Sequence, residues 1–104
     1  MNRWNIPRWL EDEVRARDKR CVYCGTPFGI DYTSKPTWEH IINNAKIITN
    51  NNIALCCWSC NASKGSKELS YWLESSYCKK KNINRKTVAD IIKKALIHLR
   101  IKIS

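Results

Sequence analysis

The sequence predicts a small α+β domain in which a helix at each end flanks two short strands and a zinc centre. Three observations carry that expectation. Two Cys-x-x-Cys knuckles, Cys21/Cys24 and Cys57/Cys60, stand with 32 residues between them. Between the knuckles, Trp38, His40 and Ile42 alternate with Thr37, Glu39 and Ile41, the period-two signature of a strand. Outside them, apolar residues recur at helical spacing. At 104 residues the chain is expected to be one domain, with its core at about 14–75 and a basic helical extension at about 76–104.

The elements follow in order. Residues 7–18 read as a helix, with Pro7 suited to the first helical position. Glu11, Asp12 and Glu13 come early, where the helix dipole favours anions. Ile6, Leu10 and Val14 form one apolar stripe, and the helix is expected to end near Lys19-Arg20. Residues 21–25 make a tight knuckle, and 26–35 a loop broken by Pro27 and Gly29. A strand is expected at 37–42, a polar loop at 43–51, and a second short strand at 52–56. Leu69, Trp72 and Leu73 point to one helix from about 58–61 to about 75, weakened in its early turns by Gly65. Thr87-x-x-Asp90 resembles a capping box opening the last helix, whose apolar face is Val88, Ile91, Ile92, Ala95 and Leu99. Trp4, Trp9 and Trp72 could stack on bases, but core packing is the expected role.

Charge is the strongest compositional signal. Lys and Arg number 19 against 9 Asp and Glu, a net of +10. Residues 79–104 hold nine basic residues and one acid, whereas 21–78 hold four of each and all six cysteines. The pattern describes a neutral chemical centre beside a basic grip and points to a polyanion, foremost nucleic acid. The plainer reading is a solvated lysine-rich surface. No apolar run approaches the ~20 residues needed to span a bilayer, so no membrane partner is expected. The first ten residues, interrupted by Arg3, Asn5, Pro7 and Arg8, lack the apolar segment of a secretion signal. A cytoplasmic location is therefore expected, where thiols stay reduced and clustered cysteines bind metal before they form disulfides.

Two residues between thiols let both sulfurs reach one ion, and two such knuckles supply the four thiolates of a tetrahedral zinc site. A closed four-sulfur shell leaves no position for water, so the zinc is expected to be structural. A thiol-redox pair is the competing reading. Cys56 lacks the two-residue spacing to Cys60, and Cys78, with no motif, is expected to be a buried or idle thiol.

Between the knuckles lies Trp38-Glu39-His40-Ile41-Ile42, followed by Asn52 and then by Asn61 directly after Cys60. A Glu-His pair in a strand is, alone, an ordinary polar surface feature. Here the order of elements matters: Arg17-Asp18-Lys19-Arg20-Cys21-Val22-Tyr23-Cys24-Gly25, then Glu39-His40-Ile41-Ile42, then Asn52 through Gly65. Over residues 14–73 the chain resembles the HNH endonuclease family. The resemblance implies a ββα-metal core clasping one divalent cation. It implies that His40 takes the proton from the attacking water and that Glu39 and Asn61 hold Mg²⁺ or Mn²⁺. Asn52 would fix the loop between the strands, and Ser63 and Lys64 would open the helix and meet a phosphate. The acid departs from the family's commoner Asp. The chemistry agrees: histidine titrates near neutrality, and carboxylate and amide oxygens suit a hard ion as thiolates suit zinc.

The expected function is metal-dependent hydrolysis of DNA phosphodiester bonds by a monomer or weak dimer, one strand per active site, with RNA as a second possible substrate. Lys64, Lys67, Lys79, Lys80, Lys81, Arg85, Lys86, Lys93 and Arg100 are the candidate phosphate contacts. No base-reading module is recognisable, so little sequence preference is expected. The rival reading is a non-catalytic zinc module that binds nucleic acid and has no use for Glu39, His40 and Asn61.

Overall fold

A computed structural model describes residues 5–103, with side chains through residue 98. The order is α1 (Arg8–Arg17), β1 (Pro36–His40), β2 (Ile53–Cys57), α2 (Trp58–Lys64), α3 (Leu69–Leu73), α4 (Ser76–Lys81) and α5 (Asp90–Ile103). β1 and β2 pair antiparallel, from Pro36 opposite Cys57 to His40 opposite Ile53. The expected α+β class is the observed one.

Strand alternation divides the core in two. Ile53 and Leu55 face α1 and pack with Ile6, Leu10 and Val14. Ala54 and Cys56 face the other way, into a larger core built from Val22, Tyr23, Trp72, Ile83, Val88 and Ile92. β2 is buried at all five positions because it has a core on each face. Pro7 is the residue before α1 rather than its first, with extended backbone at φ −66° and ψ 151°. α1 is anchored by its last residue. The Arg17 guanidinium donates to Asp18 at 2.7 and 2.9 Å and to the carbonyls of Asn50 and Ile53 at 2.6 and 2.8 Å. Asp18 in turn accepts from the Leu55 amide at 3.0 Å. The pair thus takes up backbone groups along the edge of β2.

Three expectations are corrected. The single helix over 58–75 is broken into α2 and α3, and α4 starts directly after it. Gly65 ends α2 at φ 51° and ψ −127°, a conformation that a residue with a Cβ strongly resists. Glu68 then caps α3 through the amides of Ser70 and Tyr71, and Ser75 caps α4 through that of Cys78. The Thr87–Asp90 capping box does not form. The Thr87 hydroxyl accepts from the Asn84 amide at 2.9 Å and lies 3.0 Å from the Asn82 carbonyl, so it closes the preceding turn, and α5 begins at Asp90. Trp9 is 63% exposed rather than in the core, whereas Trp72 is fully buried. Trp4 lies outside the described residues. Ile91, Ile92, Ala95 and Leu96 bury the inner face of α5. The Ala89 amide, just before it, donates to the Val22 carbonyl and ties the basic extension to the first knuckle. No helix among the described residues is long and apolar enough to cross a membrane.

Candidate active site

The two knuckles meet. The sulfurs of Cys21, Cys24, Cys57 and Cys60 all lie within 4.8 Å of one another. Four ligands at about 2.3 Å from one tetrahedral ion stand about 3.8 Å apart, and the Cys24 and Cys57 sulfurs are separated by 3.8 Å. Donor type, number and spacing therefore fit zinc. Each knuckle turns one amide onto its own first sulfur, Cys24 onto Cys21 and Cys60 onto Cys57, both at 3.5 Å. Gly25 closes the first knuckle at φ 75°, its amide donating to the Cys21 carbonyl. Within the quartet the sulfurs contest the same protons. Hydrogen bonding to Cys21 lowers Cys57 to about 6 and holds Cys24 far below the thiol range, while the bonds among the four raise Cys21 and Cys60. Crowded thiolates call for a cation. Cys56 is buried outside the quartet, and burial raises its pKa. Cys78 is also fully buried.

The second knuckle opens α2, so Asn61 and Lys64, three residues apart, lie on one helix face. That face rests on β1. The Asn61 amide nitrogen donates to the Thr37 hydroxyl at 2.9 Å and to the Trp38 carbonyl at 3.0 Å. The Lys64 ammonium lies 3.0 Å from Oε2 of Glu39 and 3.5 Å from the His40 carbonyl. Tyr23, from the first knuckle, donates its hydroxyl to the same Glu39 oxygen at 2.6 Å. Burial raises the Glu39 pKa, and the Lys64 charge and the Tyr23 hydrogen bond oppose it. Among the described residues no hydrogen bond reaches Oε1 of Glu39 or the side-chain oxygen of Asn61. These are oxygen donors of the kind a hard divalent ion takes.

His40 is the last residue of β1 and pairs with Ile53, on the face opposite Glu39. The structure thus brings Glu39, Asn61 and Lys64 together on one face of β1, with His40 the next residue along the strand and on its other face. Burial, then the Lys64 charge, lower the His40 pKa. The imidazole is consequently neutral at neutral pH, the form that accepts a proton.

Asn52 holds the loop that follows. Its oxygen accepts from the Ile42 amide at 2.7 Å, and its nitrogen donates to the carbonyls of Ile42 and Ile47 at 3.2 and 3.1 Å. Asn52→Ala leaves three backbone groups without these partners. We expect a loss of about 1–3 kcal/mol, read as a lower melting temperature together with faster amide exchange at Ile42. Unchanged exchange at Ile42 would show that the side chain does not hold the loop.

Lys64 needs correction as a phosphate contact. Expected at the opening of a helix, it ends α2, is fully buried, and serves as the counter-ion of Glu39. Removing one member of a buried pair strands the other charge, at a cost of about 3–5 kcal/mol. Lys64→Met is therefore expected to lower the melting temperature by more than about 10 °C, and adding Glu39→Gln to recover part of that. A melting temperature within about 3 °C of the parent's would contradict the pairing. Lys67, Lys79, Lys80, Lys81, Arg85 and Lys86 are exposed, Lys93 is half-buried, and the Arg100 side chain lies outside the described residues.

Sequence reasoning missed Tyr23 and the counter-ion role of Lys64. The spacing of Lys64 from Asn61 was a usable signal, since positions three apart share a helix face. Nothing local marks the carboxylate that Tyr23 meets.

The HNH endonuclease family profile matches residues 21–67, from the first knuckle to just past α2. A "Probable HNH endonuclease" of Lactococcus phage SK1 is 34% identical over 71 residues, covering 62% of this chain and 76% of that protein. The "CRISPR-associated endonuclease Cas9" of Corynebacterium diphtheriae is 28% identical over 71 residues, covering 65% of this chain but 6% of that much longer protein. No solved structure matches. A metal-clustering α+β fold of this kind, matched over both knuckles and the segment between them, defines a nuclease class. The chain belongs to the HNH endonuclease family.

Proposed function

We propose that the chain is a divalent-metal-dependent endonuclease that hydrolyses DNA phosphodiester bonds, nicking one strand per active site with little sequence preference. The observation that carries this reading is the α2 face laid on β1, with Asn61 and Lys64 beside Glu39 and with His40 next in the strand. Glu39 and Asn61 would hold Mg²⁺ or Mn²⁺, which supplies charge neutralisation to the phosphate and the leaving oxygen. His40, neutral at cellular pH, takes the proton of the attacking water. Asn52 keeps the loop after His40 in place. Zinc bound by the four cysteines fixes the backbone on both sides, since Cys60 precedes Asn61 and Cys24 follows Tyr23.

Residues 76–104 serve as a basic extension of one domain. Its exposed cations, Lys79, Lys80, Lys81, Arg85 and Lys86, with Lys67 and Lys93, neutralise backbone phosphates, so binding weakens as salt rises. Phosphate contacts carry no sequence information, and no base-reading element stands beside the site among the described residues. One centre attacks one strand, so a monomer or weak dimer accumulates nicked circles before linear DNA.

The test uses supercoiled plasmid. Zinc-loaded protein is expected to nick it with Mg²⁺ or Mn²⁺ and to stop when EDTA is in excess over those ions. Parallel RNA strands of matched length separate a DNA enzyme from an RNA enzyme. A folded, zinc-loaded protein that binds DNA but cuts neither polymer under any divalent ion would favour the non-catalytic module.

A further inference from the structure

Tyr23 is a buried polar group that the mechanism above does not use. Packing does not require its hydroxyl. The ring is fully buried, set edge-on to Trp72 at 4.9 Å and 70°. Trp72 is itself fixed by donating its indole N–H to the Ser63 hydroxyl at 2.9 Å. A phenylalanine ring would fill the same space. What tyrosine adds is one donor, aimed from between Cys21 and Cys24 at Oε2 of Glu39 from 2.6 Å.

The aim is selective. Oε2 receives both the Tyr23 hydroxyl and the Lys64 ammonium, from different elements, while Oε1 receives no hydrogen bond among the described residues. Two donors on one oxygen stop the carboxylate from rotating and leave the other oxygen to bind.

We propose that Tyr23 is a positioning residue which, with Lys64, ties down Oε2 of Glu39 so that the carboxylate presents Oε1 alone to the divalent ion. The inference rests on the reading of Glu39 as a ligand of that ion. It also makes the first zinc knuckle a support for the second metal site: the zinc ligands on either side of Tyr23 set where its hydroxyl points. Hydrogen-bonding partners that orient a metal ligand are worth about 10–100-fold in metal affinity.

The experiment measures Mn²⁺ affinity of the zinc-loaded full chain by the electron paramagnetic resonance signal of free Mn²⁺, alongside plasmid nicking. Tyr23→Phe is expected to keep its zinc and its melting temperature to within a few degrees. Its Mn²⁺ dissociation constant, and the Mn²⁺ needed for half-maximal nicking, should both rise about tenfold. At saturating Mn²⁺ the nicking rate should return to within about threefold of the parent's, as expected of a residue that acts through a ligand. A folded Tyr23→Phe protein with the parent's Mn²⁺ affinity would overturn the proposal.

A second measurement needs no variant. In the parent protein with labelled tyrosine rings, substoichiometric Mn²⁺ should broaden the Tyr23 signals before those of Tyr32 and Tyr71, which lie exposed. Bound Mn²⁺ that leaves Tyr23 sharp would overturn the proposal even if Tyr23→Phe failed to fold. If Glu39→Gln leaves Mn²⁺ affinity unchanged, the ligand reading fails and this inference with it. If Glu39→Gln weakens binding and Tyr23→Phe does not, this inference alone fails.

Discussion

His40→Ala is expected to cut plasmid nicking by about 10²–10⁴-fold, the range for removal of a positioned general base, while zinc content stays at one ion per chain. The loss has a distinguishing feature. His40 is proposed to act on water rather than to hold the metal, so raising Mn²⁺ should not restore the rate. Asn61→Ala should behave differently. Its side-chain oxygen is a proposed ligand, and its nitrogen also pins α2 to Thr37 and Trp38. Its nicking should fall and then recover in part at higher Mn²⁺. Protein held at several Mn²⁺ concentrations separates the two behaviours. An active His40→Ala, or an inactive one rescued by metal, would remove the histidine from the role of base.

Zinc removal carries the other large effect. The four cysteines join α2, the end of β2 and the knuckle after α1, and three of them are buried in the larger core. Apparent zinc binding energies of about 10–16 kcal/mol in small domains match or exceed the whole stability of a typical domain, about 5–15 kcal/mol. Stripping the metal with a tight chelator, or replacing Cys60 with Ala, is therefore expected to unfold the chain at 25 °C. Cooperative melting by circular dichroism should disappear and near-ultraviolet signals from Trp72 should collapse. Zinc, and not Mg²⁺, should restore both. Retention of a cooperative transition without metal would mean that the apolar core suffices. Chelation also separates the two metals: a chelator that takes Mn²⁺ but leaves zinc should stop nicking and spare the fold.

The elements nearest the cysteines were the most legible from sequence. Knuckle spacing, the alternation around Glu39-His40 and the stripe of Ile6, Leu10 and Val14 each reflect a local rule, and each lies where that rule puts it. The strand ends moved by one or two residues because the Asn52 side chain, not the ladder, bonds the Ile42 backbone. What was hidden depended on tertiary partners. A lysine three residues after Asn61 looks like a cation for phosphate until Glu39 is known to face it from β1. Thr87 has the spacing of a cap, but the turn at Asn82–Asn84 claims its hydroxyl first. Gly65 was read as a weak point inside a helix, whereas its positive φ makes it the end of one. Trp9 carries a large apolar ring but lies on the outer face of α1, away from the Leu10–Val14 stripe.

The claim on which the reaction rests is that an oxygen-bound divalent ion sits between β1 and α2, apart from the sulfur-bound zinc. Anomalous diffraction from crystals of the zinc-loaded protein soaked in Mn²⁺ locates both metals in one experiment. The expected map has a zinc peak within the cysteine quartet and a manganese peak bonded to the side-chain oxygens of Glu39 and Asn61. A well-occupied manganese that touches neither residue would contradict the account.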